Sequence, residues 1–410
     1  MIRHSEAVLA GHPDKFCDQV ADTIIDAAYA HDPGTYAQVE VSTWSDEIWL
    51  NGIIASPDPI RGDFRELITG LGKRIGYCPD RDRYGEGDGC NHIDAGLYRV
   101  TDAVCRIAEE PGQWTGFVND QSLVIGWAGY DERVNFLPPE HFLAHSLREA
   151  LDAAFGPGGK LERQGPDGKL LVRLREDTHP RTCRRNTWVV EQVLVSVQHR
   201  PDTVLLDLCE AVSLVIGEAY LKIAEADNRW RADWQDIELL VNPNGPFLRG
   251  GSDGDNGQTG RKLVMDYYGP RVPLGGGALS GKDLTHIDRA GAYAARRACV
   301  EAVVAGADTC QSLVAYAPCV AKPLDVRWEG GRPPGSNQKS DNERFDHANI
   351  RAAALSGIGS EPLHGLARGR HFFSRGPTWN RADVPVPVPK NSDPFQAKTA
   401  TTQTTTTTTA

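Results

Sequence analysis

The chain has 410 residues, of which 40% are hydrophobic, and its formal net charge is −11. This length is too great for one hydrophobic core, so two or three domains are expected. The acidic balance argues against a general nucleic-acid binder, because such proteins rely on a basic surface. Nine cysteines without a CxxC pair, no signal peptide and no long apolar run predict a cytoplasmic protein without a membrane span.

The hydrophobic pattern predicts a chain of mixed helices and strands. Residues 13–30 carry an apolar side chain at every fourth position, with Asp18, Asp22 and Asp26 opposite, which predicts an amphipathic helix. Later helices are predicted at 62–75, 139–154, 205–226 and 288–305. Strands are predicted at 36–44, 48–54, 120–127, 169–175, 188–198, 237–241 and 310–317.

These elements fall into three mixed blocks of similar length. The element order predicts an α+β fold with three similar α/β domains, at 1–115, 116–234 and 235–380. Residues 381–410 are rich in proline and threonine and are predicted to form a disordered, low-complexity tail.

Three glycine-rich runs lie within residues 241–296. Glycine lets backbone N–H groups approach a ligand closely, basic side chains in such loops suit phosphate, and acidic ones suit the accompanying metal. One such run would more often be a flexible loop with solvated charges, but three together favour a nucleotide or polyphosphate site. Their charged residues are Asp253, Asp255, Arg261, Lys262, Lys282 and Asp283.

A GHPDK motif precedes the first predicted helix. Pro13 suits a first helical turn, and His12 with the free N–H groups of that turn would face an anion. Asp14 could hold Mg²⁺ there, although an aspartate that only complements the helix dipole is equally common. Asp288 repeats the arrangement at a later helix. The two aspartates would form a triphosphate cage with four basic side chains, Lys169, Arg261, Lys262 and Lys282.

Other nucleotide and nucleophile motifs are absent from the sequence. There is no Walker A motif, no dinucleotide fingerprint after a strand, and no nucleophile triad that sequence alone supports. The residues therefore indicate displacement on a nucleotide without a covalent intermediate.

The motifs resemble the S-adenosylmethionine synthetase (methionine adenosyltransferase) family over most of residues 3–325. HSEAVLAGHPDKFCDQVADTIIDA resembles its opening segment, NDQSLVIGWA a second signature, and NPNGPFLRGG, GDNGQTGRK and GGGALSGKD its phosphate loops. The resemblance implies three similar domains related by pseudo-three-fold symmetry, in a homodimer or dimer of dimers with active sites between subunits. It also implies that methionine sulfur attacks C5′ of ATP, that triphosphate is released and hydrolysed, and that two Mg²⁺ ions and K⁺ assist.

The resemblance assigns roles to individual positions. Positions matching the ATP and triphosphate ligands are His12, Asp120, Asp167, Lys169, Phe247, Arg261, Lys262 and Lys282. Positions matching catalytic groups are His12, Lys169, Arg261, Lys282 and His286. Asp14 and Asp288 match the Mg²⁺ carboxylates, Glu40 matches the K⁺-site glutamate, and the acceptor positions are Ile53, Asp255 and His286.

Several positions depart from the family pattern. Ile53 replaces a glutamate that helps hold the methionine ammonium, and His286 replaces a lysine. The family's mobile loop should fall near 94–112, but this chain has no glutamine there to hold the methionine carboxylate. Two further replacements are Ala10 for a glutamate and Pro318-Cys319 for Ile-Gly. A buried ammonium without its carboxylate would cost on the order of a few kcal/mol, unless another residue such as Asp255 compensates.

Four functions stay open at this point. The first is an ordinary methionine adenosyltransferase, and the second is a sister enzyme whose nucleophile lacks the amino-acid head. The third is an ATPase that cleaves triphosphate with water. The fourth is a catalytically weak paralogue that binds a partner subunit, although retention of the whole cage argues against it. The expected ligands are ATP with methionine or another small nucleophile, and neither nucleic acid nor membrane is expected.

Overall fold

The computed structural model describes residues 1–77, 93–162, 164–177 and 186–383, without the side chain of Gln113. Over these residues the chain forms three β-sheets, and each sheet packs against a long helix. The helices are α1 (Pro13–His31), α2 (Arg65–Ile75), α3 (Gly112–Thr115), α4 (Pro139–Ala154), α5 (Leu205–Ala226), α6 (Leu263–Asp266), α7 (Ile287–Val304), α8 (Gln338–Arg344), α9 (His347–Gly357) and α10 (Leu363–Leu366).

The three sheets differ in strand order. The first contains β10 (Gly257–Gln258), β2 (Tyr36–Trp44), β3 (Glu47–Ser56) and β4 (Arg99–Asp102) in that order, with β5 (Cys105–Ala108) also on β3. The second contains β1 (Ile2–Val8), β7 (Gly168–Asp177), β8 (Thr187–Val197) and β9 (Glu238–Val241). The third contains β12 (Asp325–Gly330), β11 (Thr309–Tyr316) and β6 (Ser122–Gly129).

Strands from distant parts of the chain meet in every sheet. β1 pairs antiparallel with β7, β6 pairs antiparallel with β11, and β9 pairs parallel with β8. The α+β class and the three-domain architecture are confirmed. The domain boundaries at 115 and 234 stay a prediction, while the hydrogen-bonded sheets themselves cross both positions.

Every helix and strand predicted from the hydrophobic pattern is present, and its ends lie within three residues of the prediction. The elements that were not predicted are β1, β4, β5, β10, β12 and the helices α3, α6, α8, α9 and α10, most of which are short. Of the predicted tail at 381–410, residues 384–410 lie outside the described residues.

Helix α1 is present as predicted, but its polar face is not solvated. In an amphipathic surface helix the face with Asp18, Asp22 and Asp26 would be solvated, but Asp18 and Asp22 are fully buried and Asp26 is half-buried. The reason is that glycine-rich loops cover this face of α1 and offer their backbone N–H groups to the carboxylates. The helix is therefore enclosed on both faces.

The row of carboxylates on α1 consists of Asp14, Asp18, Asp22 and Asp26, and we call it the carboxylate row. A spacing of four residues places all of them on one helix face. Their side chains accept hydrogen bonds from the N–H groups of Gln258 (3.0 Å), Gly260 (2.9 Å), Gly281 (2.8 Å), and Leu363 and His364 (3.0 and 3.1 Å). The row therefore fixes three separate loops to one helix.

Gly281 shows how closely these loops approach the first sheet. Its φ is +82°, and a Cβ built there would lie 2.2 Å from the carbonyl oxygen of Val39. Only glycine fits such a position without moving the backbone.

Two buried cations balance the row. Arg289, at the start of α7, donates two hydrogen bonds of 2.9 Å to Asp22. Lys15 contacts Asp18 at 2.8 Å and also donates to Asp266 of α6. These pairs tie α1 to both α6 and α7. In the part of the chain that the structure describes, no helix is long and apolar enough to cross a membrane.

Candidate active site

Helices α1 and α7 begin in the same way. His12 caps α1 with φ −60° and ψ 136°, and His286 caps α7 with φ −67° and ψ 133°. In each case the histidine Nδ1 accepts a hydrogen bond from the backbone N–H of the aspartate two residues later, at 3.2 Å. Asp14 and Asp288 therefore occupy equivalent first-turn positions, where the helix dipole favours negative charge.

Both capping histidines are neutral. Burial is the main cause that lowers the pKa of His12 to about 4, and the positive charge of Lys262 acts in the same direction. Burial, followed by the charge of Lys282, lowers the pKa of His286 to about 4 as well. Because Nδ1 accepts a hydrogen bond in each ring, Nε2 carries the proton and is available as a donor.

The first group of charged residues surrounds the start of α1, and we call His12, Asp14, Arg261 and Lys262 the α1 cluster. The Asp14 carboxylate is 1% exposed. Its Oδ2 lies 2.5 Å from Lys262 Nζ, and its Oδ1 lies 3.5 Å from Arg261 Nε. Lys169, at the start of β7, is exposed, and its charge also lowers the pKa of His12. The structure therefore brings these five predicted residues together.

The second group surrounds the start of α7, and we call Asp120, Ser122, Lys282 and Asp288 the α7 cluster. Asp288 accepts a hydrogen bond of 2.5 Å from Ser122 Oγ and forms an ion pair with Lys282. A cavity of about 420 Å³ opens here, and Glu40 lines it together with the four residues of the cluster. Ser122 was not predicted, although it follows Asp120 by two positions in the same motif.

The two clusters are separate within one chain. No hydrogen bond or ion pair between described residues joins them, and none of the α1 cluster lines the cavity at the α7 cluster. The link between them is Asp22, which binds Arg289 beside Asp288 and lies eight residues, or about 12 Å, along α1 from Asp14. The residues predicted to form one triphosphate cage therefore lie in two separate clusters within one chain.

Asp167 and Phe247 lie on the side of the α1 cluster. Asp167 is 7% exposed, and its Oδ2 accepts a hydrogen bond of 2.8 Å from the Gly251 N–H. Burial, aided by the negative charges of Asp255 and Asp14, raises the pKa of Asp167 to about 6. The backbone of Phe247 exchanges hydrogen bonds with His199, a buried residue that no motif indicated.

Two departures from the family pattern, Ile53 and the segment 94–112, belong to the first sheet. Ile53 is half-buried on β3 opposite Gln38, which lines the cavity at the α7 cluster. The segment 94–112, where the family's mobile loop was expected, contributes β4 and β5 to that sheet, and Cys105 lies beside Ile53. Cys319 has φ +63°, a conformation that favours the glycine it replaces.

Comparison with known proteins identifies the family. Residues 1–94, 116–247 and 249–343 match the N-terminal, central and C-terminal domains of S-adenosylmethionine synthetase. The chain is 35% identical over 397 residues to the S-adenosylmethionine synthase of Methylobacterium sp. (strain 4-46), which covers 93% of this chain and 95% of the relative. The chain belongs to the S-adenosylmethionine synthetase family.

Two further proteins support this assignment. The S-adenosylmethionine synthase of Methylobacterium radiotolerans is 34% identical over 396 residues, covering 93% of this chain and 95% of the relative. The structure of an unusual S-adenosylmethionine synthetase from Campylobacter jejuni has a TM-score of 0.78 and 25% identity, covering 93% of this chain and 97% of that one. The resemblance inferred from the motifs is therefore confirmed over nearly the whole chain.

In metal-free protein, His12 and His286 are expected to stay neutral until the pH falls to about 4. Their folded pKa lies below the unfolded value of about 6.5, so they make stability fall as the pH drops from about 6.5 toward 4. Side-chain NMR of the histidine rings, assigned with His12→Asn and His286→Asn, measures this directly. Titration of either ring near pH 6.5 would contradict the arrangement of cap and lysine described above.

Proposed function

We propose that this chain forms S-adenosylmethionine from ATP and methionine. Methionine sulfur attacks C5′ of ATP, triphosphate leaves, and it is then hydrolysed to diphosphate and phosphate. The observation that carries the proposal is the pair of equivalent helix starts, each with a buried aspartate held against a lysine. Each start combines a helix N-terminus, a cation and a carboxylate, which suits one part of a magnesium polyphosphate.

The donor set fits two Mg²⁺ ions. Asp14 and Asp288 each supply one carboxylate, and among the described residues no group of three acidic, histidine or cysteine side chains converges on a point. Mg²⁺ commonly takes one or two carboxylates and leaves its other positions to phosphate and water. When bound, the ions would neutralise charge on the triphosphate. Glu40, exposed in the cavity at the α7 cluster, is the proposed ligand for K⁺.

The basic residues then stabilise the leaving group. Lys262 and Lys282 hold the two aspartates in the absence of ligand, and they would turn to phosphate oxygens when ATP arrives. Lys169 and Arg261 add positive charge beside them, and the neutral His12 offers its Nε2–H to an oxygen of the leaving group. Since a thioether has no proton to lose, the reaction needs positioning and charge stabilisation and no general base.

The acceptor site is proposed at Ile53, Asp255 and His286. Asp255 is exposed close enough to Asp167 for its charge to raise the pKa of that carboxyl, and it is available for the methionine ammonium. A nucleophile without an amino-acid head, or water, is not favoured, because the relatives that match the whole chain are S-adenosylmethionine synthases. Asp120, Asp167 and Phe247 are proposed to contact the nucleoside part of ATP.

Two chains would complete each active site. We treat the α1 cluster and the α7 cluster as two half-sites, and each chain carries both. A two-fold dimer would place the α1 cluster of one chain against the α7 cluster of its partner. The separation of Asp14 from Asp288 within one chain supports this proposal. A dimer of dimers would contain the same paired sites.

The reaction is tested by incubating the protein with ATP, Mg²⁺ and K⁺, with and without methionine, and measuring S-adenosylmethionine and released phosphates by mass spectrometry. Methionine-dependent S-adenosylmethionine is expected, and a chelator of Mg²⁺ should abolish it. Phosphate release without S-adenosylmethionine would contradict the proposal and point to another acceptor or to water.

The shared site is tested with the variants Asp14→Asn and Asp288→Asn, each of which should lose nearly all activity. Asp58 is exposed, so Asp58→Asn serves as a control that should keep its activity. The two inactive chains are co-expressed with different tags, and the heterodimer is purified through both tags. If each site joins half-sites of two chains, one of its two sites is intact and about half of the wild-type activity returns. An inactive heterodimer, or failure of the two chains to associate, would contradict the proposal.

A further inference from the structure

A second cavity lies where the three parts of the fold meet, and no residue of the α1 or α7 cluster lines it. Its volume is about 290 Å³, and its walls come from the segment before α1, the last turn of α2, the end of α4, and α10 with the residues after it. Neither aspartate of the helix starts lines it, and neither do Arg261, Lys262 or Lys282. Nothing in the proposed reaction uses this cavity.

Two cationic side chains of the cavity carry donors that have no acceptor among the described residues. Arg74, in the last turn of α2, is exposed and forms no ion pair or hydrogen bond with any described residue. The Nε atom of Arg368 is buried and meets no acceptor in the described part of the chain. A buried donor without an acceptor is unfavourable and commonly marks a bound water, ion or ligand.

The acidic residue of the cavity is already satisfied. Asp152 accepts hydrogen bonds from the Ala10 N–H and from Arg148 Nη1, both at 3.0 Å, and from Arg368 Nη2 at 3.2 Å. It therefore has little capacity to neutralise Arg74 as well. Among the described residues, the donors of the cavity wall without an acceptor are the Arg74 guanidinium and the Arg368 Nε, and both carry positive charge, so they favour an anion.

The rest of the wall selects an organic anion over an inorganic one. Leu71, Ile75 and Phe155 line the cavity beside the arginines, so part of any occupant lies against apolar side chains. Pockets at domain junctions with apolar walls and a few polar groups are typical of small-molecule sites. A free phosphate or sulfate would leave these apolar side chains exposed to water, whereas an organic anion would cover them.

We propose that this cavity binds a small organic carboxylate, with its carboxylate at Arg74 and Arg368 and its apolar part against Leu71, Ile75 and Phe155. The site touches the α1 cluster through its wall. Gln19 Nε2 donates a hydrogen bond of 2.8 Å to the Ala10 carbonyl, and Ala10 and Gly11 run directly into His12. A bound carboxylate would therefore contact the segment Ala10-Gly11, which directly precedes the capping residue His12. The site does not depend on the proposed reaction.

The test uses benzoate as the probe and the full-length protein, with Mg²⁺ and tripolyphosphate present to occupy the phosphate half-sites. Isothermal titration should show benzoate binding to the wild type, and acetate and inorganic phosphate binding at least about tenfold more weakly. Arg74→Gln should weaken benzoate binding about tenfold, the effect expected from loss of a charged hydrogen bond. Arg61→Gln, also exposed and unpaired among the described residues, is the matched control and should bind like the wild type.

Thermal unfolding of Arg74→Gln should match that of the wild type, because the side chain is exposed and forms no hydrogen bond or ion pair with a described residue. Loss of benzoate binding in a normally folded Arg74→Gln variant would support the site. Absence of benzoate binding to the wild type would overturn the proposal. Equal benzoate binding by Arg74→Gln would also overturn the proposal, because benzoate would then bind elsewhere. Phosphate binding as tight as benzoate binding would overturn it as well, because the site would then not select an organic carboxylate.

Discussion

The carboxylate row of α1 is the interaction on which the rest of this structure depends. Four side chains on one helix face accept hydrogen bonds from three loops that lie far apart in the sequence. Glycine-rich loops have many accessible conformations, and a fixed acceptor on a rigid helix selects one of them. The loop positions of Arg261, Lys262 and Lys282 follow from those of Gly260 and Gly281, which the row holds.

Burying so many charges costs stability, which indicates that the row serves geometry. Burial raises the pKa of Asp22 to about 6 even though Arg289 and the Gly281 N–H oppose the shift. A buried ion pair is often no more stabilising than apolar side chains of the same volume. The arrangement sets the spacing of the two helix starts, since Arg289 links α7 to α1 about two turns from Asp14. The α1 and α7 clusters are therefore held at a fixed distance from each other.

The long helices and strands could be predicted because their apolar residues recur with a clear period. The starts of α1 and α7 could be predicted because GHPDK and the second aspartate are residues typical of a helix N-terminus. The burial of Asp18 and Asp22 could not be predicted, because a carboxylate at every fourth position is the same sequence pattern on a solvated helix face and on an enclosed one. The pairing of β1 with β7 and of β6 with β11 depends on contacts across more than 150 residues. The separation of the predicted cage residues into the α1 and α7 clusters also depends on such contacts, so the sequence indicated the residues without their distribution in space.

Peptide-level hydrogen–deuterium exchange measures how far Asp18 holds the loop at Gly260 and Asp22 holds the loop at Gly281. In Asp18→Asn, the amides around Gly260 should exchange faster than in the wild type, while those around Gly281 keep their protection. In Asp22→Asn the pattern should reverse. Unchanged exchange at both loops in both variants would contradict this role of the carboxylate row, because the row would then not hold the loops in place.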